Sequence, residues 1–209
     1  MSTAARPRLS RDRVLAAAVA LADREGAEAL TVRRLADDLG VHPTSLYNHV
    51  PSKEAILDGV VERLFADVRL PEQIASWQEW VRAIAGCFRD LARSHPGAFM
   101  VLTRRPAETP LAYGITELGL EVFDAGGFSQ VEAVQAVRAV SLAVLGCALN
   151  ECPPMGDWVE PEPDDAALAP FPRLVAAATA LEASELPEDS HWDVLVEALV
   201  AGLGATRVS

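Results

Sequence analysis

Apolar positions recur along the chain at helical spacing, and strand-like alternation is scarce, so the pattern predicts an all-α protein. Val14, Ala17, Ala18, Leu21 and Ala22 fall at i, i+3, i+4, i+7 and i+8, with Ser10 placed to cap this first helix and Gly26 to end it. Thr31 heads a second, short helix with Leu35, Ala36 and Leu39 inward, and Gly40 ends it where the chain must turn sharply. A third helix begins near His42-Pro43, since proline suits a first helical turn, and Pro51 closes it. Ser52 caps a fourth, whose apolar set is Ile56, Leu57, Val60, Val61, Leu64 and Phe65.

A second part starts after Leu70-Pro71. Ser76 and Glu79 have capping-box spacing ahead of a helix running to about Ser94, and His95-Pro96-Gly97 breaks it. A short segment, Ala98 to Arg104, precedes a helix from Thr109-Pro110 to Asp124, stopped by Gly126-Gly127. Ser129 and Glu132 open another capping box. The helix behind it, reaching about Asn150, is apolar almost all round and must be covered on more than one side. Residues 151 to 165 hold six acids, four prolines and no base, which reads as a loop, either solvated or lying across a pocket mouth. Phe171 to Ala183 and His191 to Leu203 form two more helices, the last capped by Asp189 or Ser190.

The net charge of −12 argues against a nucleic-acid partner until its distribution is counted. Residues 1 to 65 hold nine Lys/Arg and nine Asp/Glu, whereas residues 66 to 209 hold nine and twenty-one. The first 36 residues carry seven arginines against four acids, with Arg6, Arg8, Arg11 and Arg13 close together. An anion-binding module over residues 1–68, joined to an acidic helical body over residues 69–209, fits these counts. Apolar runs such as Ala139 to Leu149 fall short of the roughly 20 residues of a bilayer span, and the arginine-bearing start lacks a hydrophobic signal segment. A cytoplasmic location with no membrane partner is the expectation. Cys87, Cys147 and Cys152 make an odd count without metal-type spacing and read as small buried hydrophobes; no metal and no cofactor is expected.

The stretch TSLYNHV, residues 44 to 50, explains the first module. Leu46 and Val50 are four apart and face inward, which leaves Thr44, Ser45, Tyr47, Asn48 and His49 on the open side. These groups hydrogen-bond base edges and phosphates, and a helix–turn–helix lays its second helix in the major groove. Arg33 and Arg34 lie in the first turn of the preceding helix, and Lys53 stands where the fourth helix's N-terminus would meet a phosphate. Each residue also has a bland reading: Tyr47 half-buried, His49 bonded within the fold, Thr44 a capping group.

The segment LTVRRLADDLGVHPTSLYNHVPSKEAILDGV, residues 30 to 60, resembles the DNA-binding domain of the tetracycline-repressor (TetR) family of bacterial transcriptional regulators. By that resemblance Thr31 and Lys53 touch phosphate, Arg33 reaches a base, and Thr44, Ser45, Tyr47, Asn48 and His49 form the reading surface. SHPGAF (94–99) and FDAGGFSQVEAV (123–134) are similar to the family's ligand domains. The resemblance implies a homodimer through residues 129–150 and 190–204, a roughly palindromic double-stranded DNA operator, repression, and release by a small apolar or aromatic effector.

Effector candidates in the second part are Trp80, Phe88, His95, Phe99, Met100, Tyr113, Cys147 and Asn150, for each of which, taken singly, core packing is the preferred reading. Three other readings stand beside this one. An enzyme with an appended helix–turn–helix lacks any recognisable catalytic motif, so no catalytic residue is assigned. A DNA-binding regulator controlled by a protein partner would use the apolar helix as its docking face. A ligand-independent regulator would have a closed core.

Overall fold

The computed structural model describes residues 8–105, 107–152, 165–187 and 190–206. Its helices are α1 (Arg11–Glu25), α2 (Val32–Leu39), α3 (Pro43–Tyr47), α4 (Lys53–Asp67), α5 (Trp77–Ser94), α6 (Pro96–Leu102), α7 (Pro110–Ala125), α8 (Gln130–Ala148), α9 (Asp165–Leu168), α10 (Pro172–Glu182) and α11 (Ser190–Ala205). Single 3-10 turns follow α1 (Ala27–Ala29) and α8 (Leu149–Glu151). No strand occurs among the described residues.

Local chemistry sets most boundaries. Ser10, Thr31, Ser52, Ser76, Thr109 and Ser129 each accept a backbone N–H from the first turn behind them. Ser129 and Glu132 complete a reciprocal capping box at α8. At α5 the reciprocity fails: Ser76 caps Glu79, but the Glu79 carboxylate accepts from the N–H of Ala75 at 2.8 Å. At α11, Ser190 is the first helical residue, and Asp189 lies outside the described residues.

The segment expected to be only a break is a helix. Pro96 begins α6, and Asp23 on α1 supplies what no neighbour does, its Oδ1 accepting the N–H of Ala98 at 2.9 Å. Gly97 lets α6 sit directly on α1, because a Cβ there would overlap the Ala22 carbonyl. His95 Nδ1 lies 2.8 Å from Asp23 Oδ2, so one carboxylate holds both the entry and the first turn of α6.

One continuous hydrophobic core joins both parts of the chain, from Val14 to Val196, and α10 contributes no buried residue to it. Its N-terminal portion packs α1 against α4 and α2 through Val14, Ala18, Leu21, Leu35, Leu46, Ile56 and Val60. Helix α6 lies against both α1 and α4, and α5 packs on α8 with α7 and α11 alongside. Trp77 stacks on Phe123 at 5.4 Å, and Phe128 meets Phe123 edge-on at 5.0 Å, both ordinary aromatic pair geometries.

Helix α8 departs from its expected surroundings. Ala133, Ala136, Val137, Val140, Val144 and Ala148 are buried, yet Val131, Val134 and Leu142 are 68%, 54% and 63% exposed. Residues 130–151 are also long and apolar enough to cross a membrane by length and composition, which the shorter run read from the sequence had not suggested. Its buried face packs into α5, α7 and α11 as a core helix does.

Candidate nucleic-acid interface and ligand cavity

Helices α2 and α3 are joined by a turn whose geometry depends on one residue. Gly40 adopts φ 66°, ψ 38°, a conformation costly for side-chain-bearing residues, and donates its N–H to Asp37 O while Val41 donates to Ala36 O. That pair of bonds is the Schellman closure, and it fixes the angle at which α3 leaves α2. Helix α3 is shorter than its sequence pattern suggests, ending at Tyr47 with Asn48 as its cap. Its N-terminus is closed by His42, whose Nδ1 accepts the Thr44 N–H at 3.4 Å and lies 2.9 Å from the Thr44 hydroxyl.

The inward and outward sides of α3 are sharply divided. Leu46 and Val50 are fully buried, while Tyr47 is 50% exposed and Thr44 and Asn48 are exposed; Ser45 and His49 are half-buried. Lys53, exposed, is the first residue of α4, beside the Ser52 cap that takes the Ala55 N–H at 3.0 Å. Thr31 caps α2 with its hydroxyl oxygen on the Arg34 N–H at 3.1 Å, a bond that does not use its own hydroxyl hydrogen. Arg33 is exposed. Arg34 is differently placed: its Nε and Nη2 bond both oxygens of Glu25 at 2.8 and 2.5 Å, tying α2 back to α1. The Arg34 hydrogen bond is the main influence holding the Glu25 carboxyl below the ordinary carboxylate range. Arg11 pairs with Glu62 at 2.6 Å, and Arg6 lies outside the described residues.

A cavity of about 230 Å³ opens among α4, α5, α7 and α8. Phe65, Trp80, Ile84 and Phe88 form its aromatic and aliphatic wall, and Thr116, Ser141 and Arg105 are its polar members. Both hydroxyls donate within their own helices, Thr116 to Ala112 O at 3.0 Å and Ser141 to Val137 O at 2.8 Å. Arg105 is the single charged residue among the described residues of the lining, and its Nε donates to Asp58 of α4 at 2.8 Å. Trp80 is 1% exposed, and its indole N–H meets no acceptor among the described residues. Leaving such a donor unmet costs on the order of 1–3 kcal/mol.

Residues 14–60 match the family model described as bacterial regulatory proteins, tetR family, and residues 70–207 match that of the tetracyclin repressor-like C-terminal domain. The chain belongs to the TetR family of bacterial regulatory proteins. An HTH-type transcriptional regulator of Saccharopolyspora erythraea is 35% identical over 211 residues, covering 96% of this chain and 87% of that one. The class D tetracycline repressor of Escherichia coli is 37% identical over 148 residues, 69% of this chain and 67% of the repressor. The structure of ActR from Streptomyces coelicolor in complex with actinorhodin superposes with a TM-score of 0.74 at 26% identity, covering 95% of this chain and 98% of ActR. As a TetR-family member the chain is a DNA-binding transcriptional regulator, with an N-terminal helix–turn–helix and a C-terminal helical domain.

Within this TetR-family fold the ligand candidates scatter. Trp80 and Phe88 share the cavity wall, two turns apart on α5 with Ile84 between them. Phe99 is fully buried, its ring edge-on to Phe88 at 6.4 Å, and so backs the cavity without lining it. His95 is engaged with Asp23 at the α1–α6 junction. Met100 lines a separate cleft with Arg104, Leu149 and Cys152. Tyr113 is 59% exposed, Asn150 is exposed, and Cys147 is half-buried. Burial is the leading cause that raises all three thiols, Cys152 to about 11, which keeps them in the protonated, unreactive form. The loop expected over 151–165 begins with Glu151, which accepts from Arg89 and Arg93 at 2.9 and 2.7 Å; residues 153–164 lie outside the described residues.

Arg105, Phe65 and Thr116 were not singled out from the sequence. Their signal is tertiary: three elements more than ten residues apart contribute one residue each to a common wall. Within single helices the lining follows helical spacing, with Trp80, Ile84 and Phe88 four apart on α5 and Val137, Ser141 and Leu145 four apart on α8.

Proposed function

We propose that this regulator is a homodimeric repressor that reads a roughly palindromic operator and is released by a small apolar or aromatic effector bound in the 230 Å³ cavity. Reading falls to Thr44, Ser45, Tyr47, Asn48 and His49, with Arg33 at an adjacent base and Thr31 and Lys53 on phosphates; Arg34 joins them only by exchanging Glu25 for the duplex. The observation that carries the effector reading is the membership of the cavity wall: Phe65 belongs to α4, the helix that directly follows the reading helix. A ligand that binds one placement of α4 better than another shifts the reading helices by mass action.

The dimer reading is supported by the uncovered apolar side of α8 together with Val194 on α11, 70% exposed. A patch of this kind on a folded chain marks an association surface. Two-fold pairing sets the two α3 helices about 34 Å apart, one turn of duplex. The division at residues 68/69 would then separate a reading half from an effector and dimer half. A regulator of this design acts by binding alone, in the cytoplasm where its operator is.

Selection of bound fragments from random DNA tests the proposal. A two-fold symmetric motif, bound by a particle of two chains and released by ligands that protect the cavity, is the expected outcome. An asymmetric motif bound by single chains would overturn the dimer. Operator affinity that no cavity ligand alters, while a protein partner abolishes it, would replace the effector reading with partner control.

A further inference from the structure

The cavity wall is apolar on nearly every side, yet it contains one full charge. Arg105 stands at the end of the turn behind α6, 26% exposed, and lines the cavity while its Nε–H is held by Asp58. A guanidinium offers five donors in a planar fork and Asp58 takes the Nε–H, so the Nη donors can grip a second acceptor from the cavity side, and turning the fork toward that acceptor draws Nε off Asp58. Asp58 is 64% exposed, on α4. The same arginine is therefore a wall of the ligand site and a tie to the helix that carries the reading module.

We propose that the effector is a planar aromatic anion of one or two fused rings bearing a carboxylate or phenolate, and that Arg105 both selects it and transmits its arrival to α4 through Asp58. The inference rests on the effector reading above and narrows it. Size follows from volume: an apolar cavity of about 150 Å³ holds benzene, so 230 Å³ admits a substituted or bicyclic ring. Flatness and aromaticity follow from the rings of Phe65, Trp80 and Phe88. The negative group follows from Arg105, the only charge among the described residues of the lining. When the anion draws the guanidinium away, the Asp58 carboxylate loses a directed partner and α4 loses its ionic tie to the α6–α7 turn, its apolar packing on α6 remaining; a neutral ligand of the same shape leaves that tie in place.

The test uses the full chain, its selected operator, and three probes of one shape: 1-naphthoate, 1-naphthamide and naphthalene. Calorimetry is expected to show naphthoate binding at least tenfold tighter than naphthamide, and naphthoate alone weakening operator binding. Arg105→Met is expected to erase the preference for the acid without weakening naphthamide, and Arg105→Lys, which keeps the charge and loses the fork, to restore part of it. Asp58→Asn is expected to bind naphthoate at least as tightly as the parent chain while its operator affinity responds several-fold less. Thermal melting of each variant reports whether it is folded, and the probe comparison on the parent chain stands whichever variant fails. Equal binding of acid and amide, or an unchanged preference in Arg105→Met, overturns the proposal while leaving a neutral effector open. If none of the three probes binds and operator affinity ignores all of them, the effector reading fails with it.

Discussion

The outer flank of α3 and the outer flank of α8 are both bare in a single chain, and they are chemical opposites. On α3 the exposed groups are Thr44, Tyr47 and Asn48, each with a hydrogen-bonding atom at its tip. On α8 the large exposed apolar side chains are Val131, Val134 and Leu142, which offer none, interrupted on the same stripe by the exposed Gln135 and Arg138. Both flanks stand on equally buried bases, Leu46 and Val50 beneath one, Val137, Val140 and Val144 beneath the other. Exposure alone therefore says nothing about what a surface meets; a polar flank is stable in water and waits for a polar partner, whereas an apolar one is stable only when covered.

That contrast is broken most forcefully on the apolar side. Replacing Val134 and Leu142 together with glutamate is expected to convert a two-chain particle into single chains by light scattering, and to lower operator affinity about a thousandfold, since two linked reading modules gain that order from acting together. On the polar side, Tyr47→Ala is expected to reduce specific binding by about 1–3 kcal/mol with an unchanged circular dichroism spectrum, because half its ring is already in solvent. If instead it unfolds the chain, α3 is a packing element and its flank has been assigned the wrong role.

A third change probes the body that both flanks share. Glu151 is 9% exposed and bonded by Arg89 and Arg93. Burial works to raise its pKa, but the Arg93 and Arg89 hydrogen bonds outweigh it and hold the carboxyl below the ordinary range. Glu151→Gln is expected to cost about 2 kcal/mol in denaturant melts at neutral pH, less than a fully buried pair because Arg93 reaches water. A depressed folded-state pKa stabilises above the unfolded value and stops doing so as pH falls through the folded one. The gap between parent and variant is therefore expected to close only at acid pH, below the usual carboxylate titration. The smallest expected effect belongs to Lys53→Ala, which weakens binding to all duplexes alike and lowers the salt slope by about one.

What the sequence made legible was whatever lies within one helical turn. Ser10, Thr31, Ser52 and Ser129 are caps because hydroxyls ahead of periodic runs have few other uses, and Gly40 ends α2 for want of another residue that takes its backbone angles. The start of α6 was illegible because its cap, Asp23, sits 75 residues upstream of the N–H it accepts. The mixed fate of the Ser76–Glu79 pair shows the same limit at short range: spacing announces a box, but a rotamer decides which N–H the carboxylate takes. The reading flank was visible as an inward pair and an outward remainder on one helix. The aromatic part of the cavity wall was visible along α5, and its charged member, Arg105, only once α4 and α7 were placed beside it.

The clasps between the two halves have a consequence for how the molecule behaves at different ionic strengths. Arg104 meets Glu28 and Arg105 meets Asp58 at the surface, where at physiological ionic strength mobile ions screen charges over about 8 Å. Raising the electrolyte thus loosens the grip on the duplex and slackens the internal clasps at once. A cell under osmotic stress would shift both the occupancy of the operator and the sensitivity of the switch, with no change in effector supply.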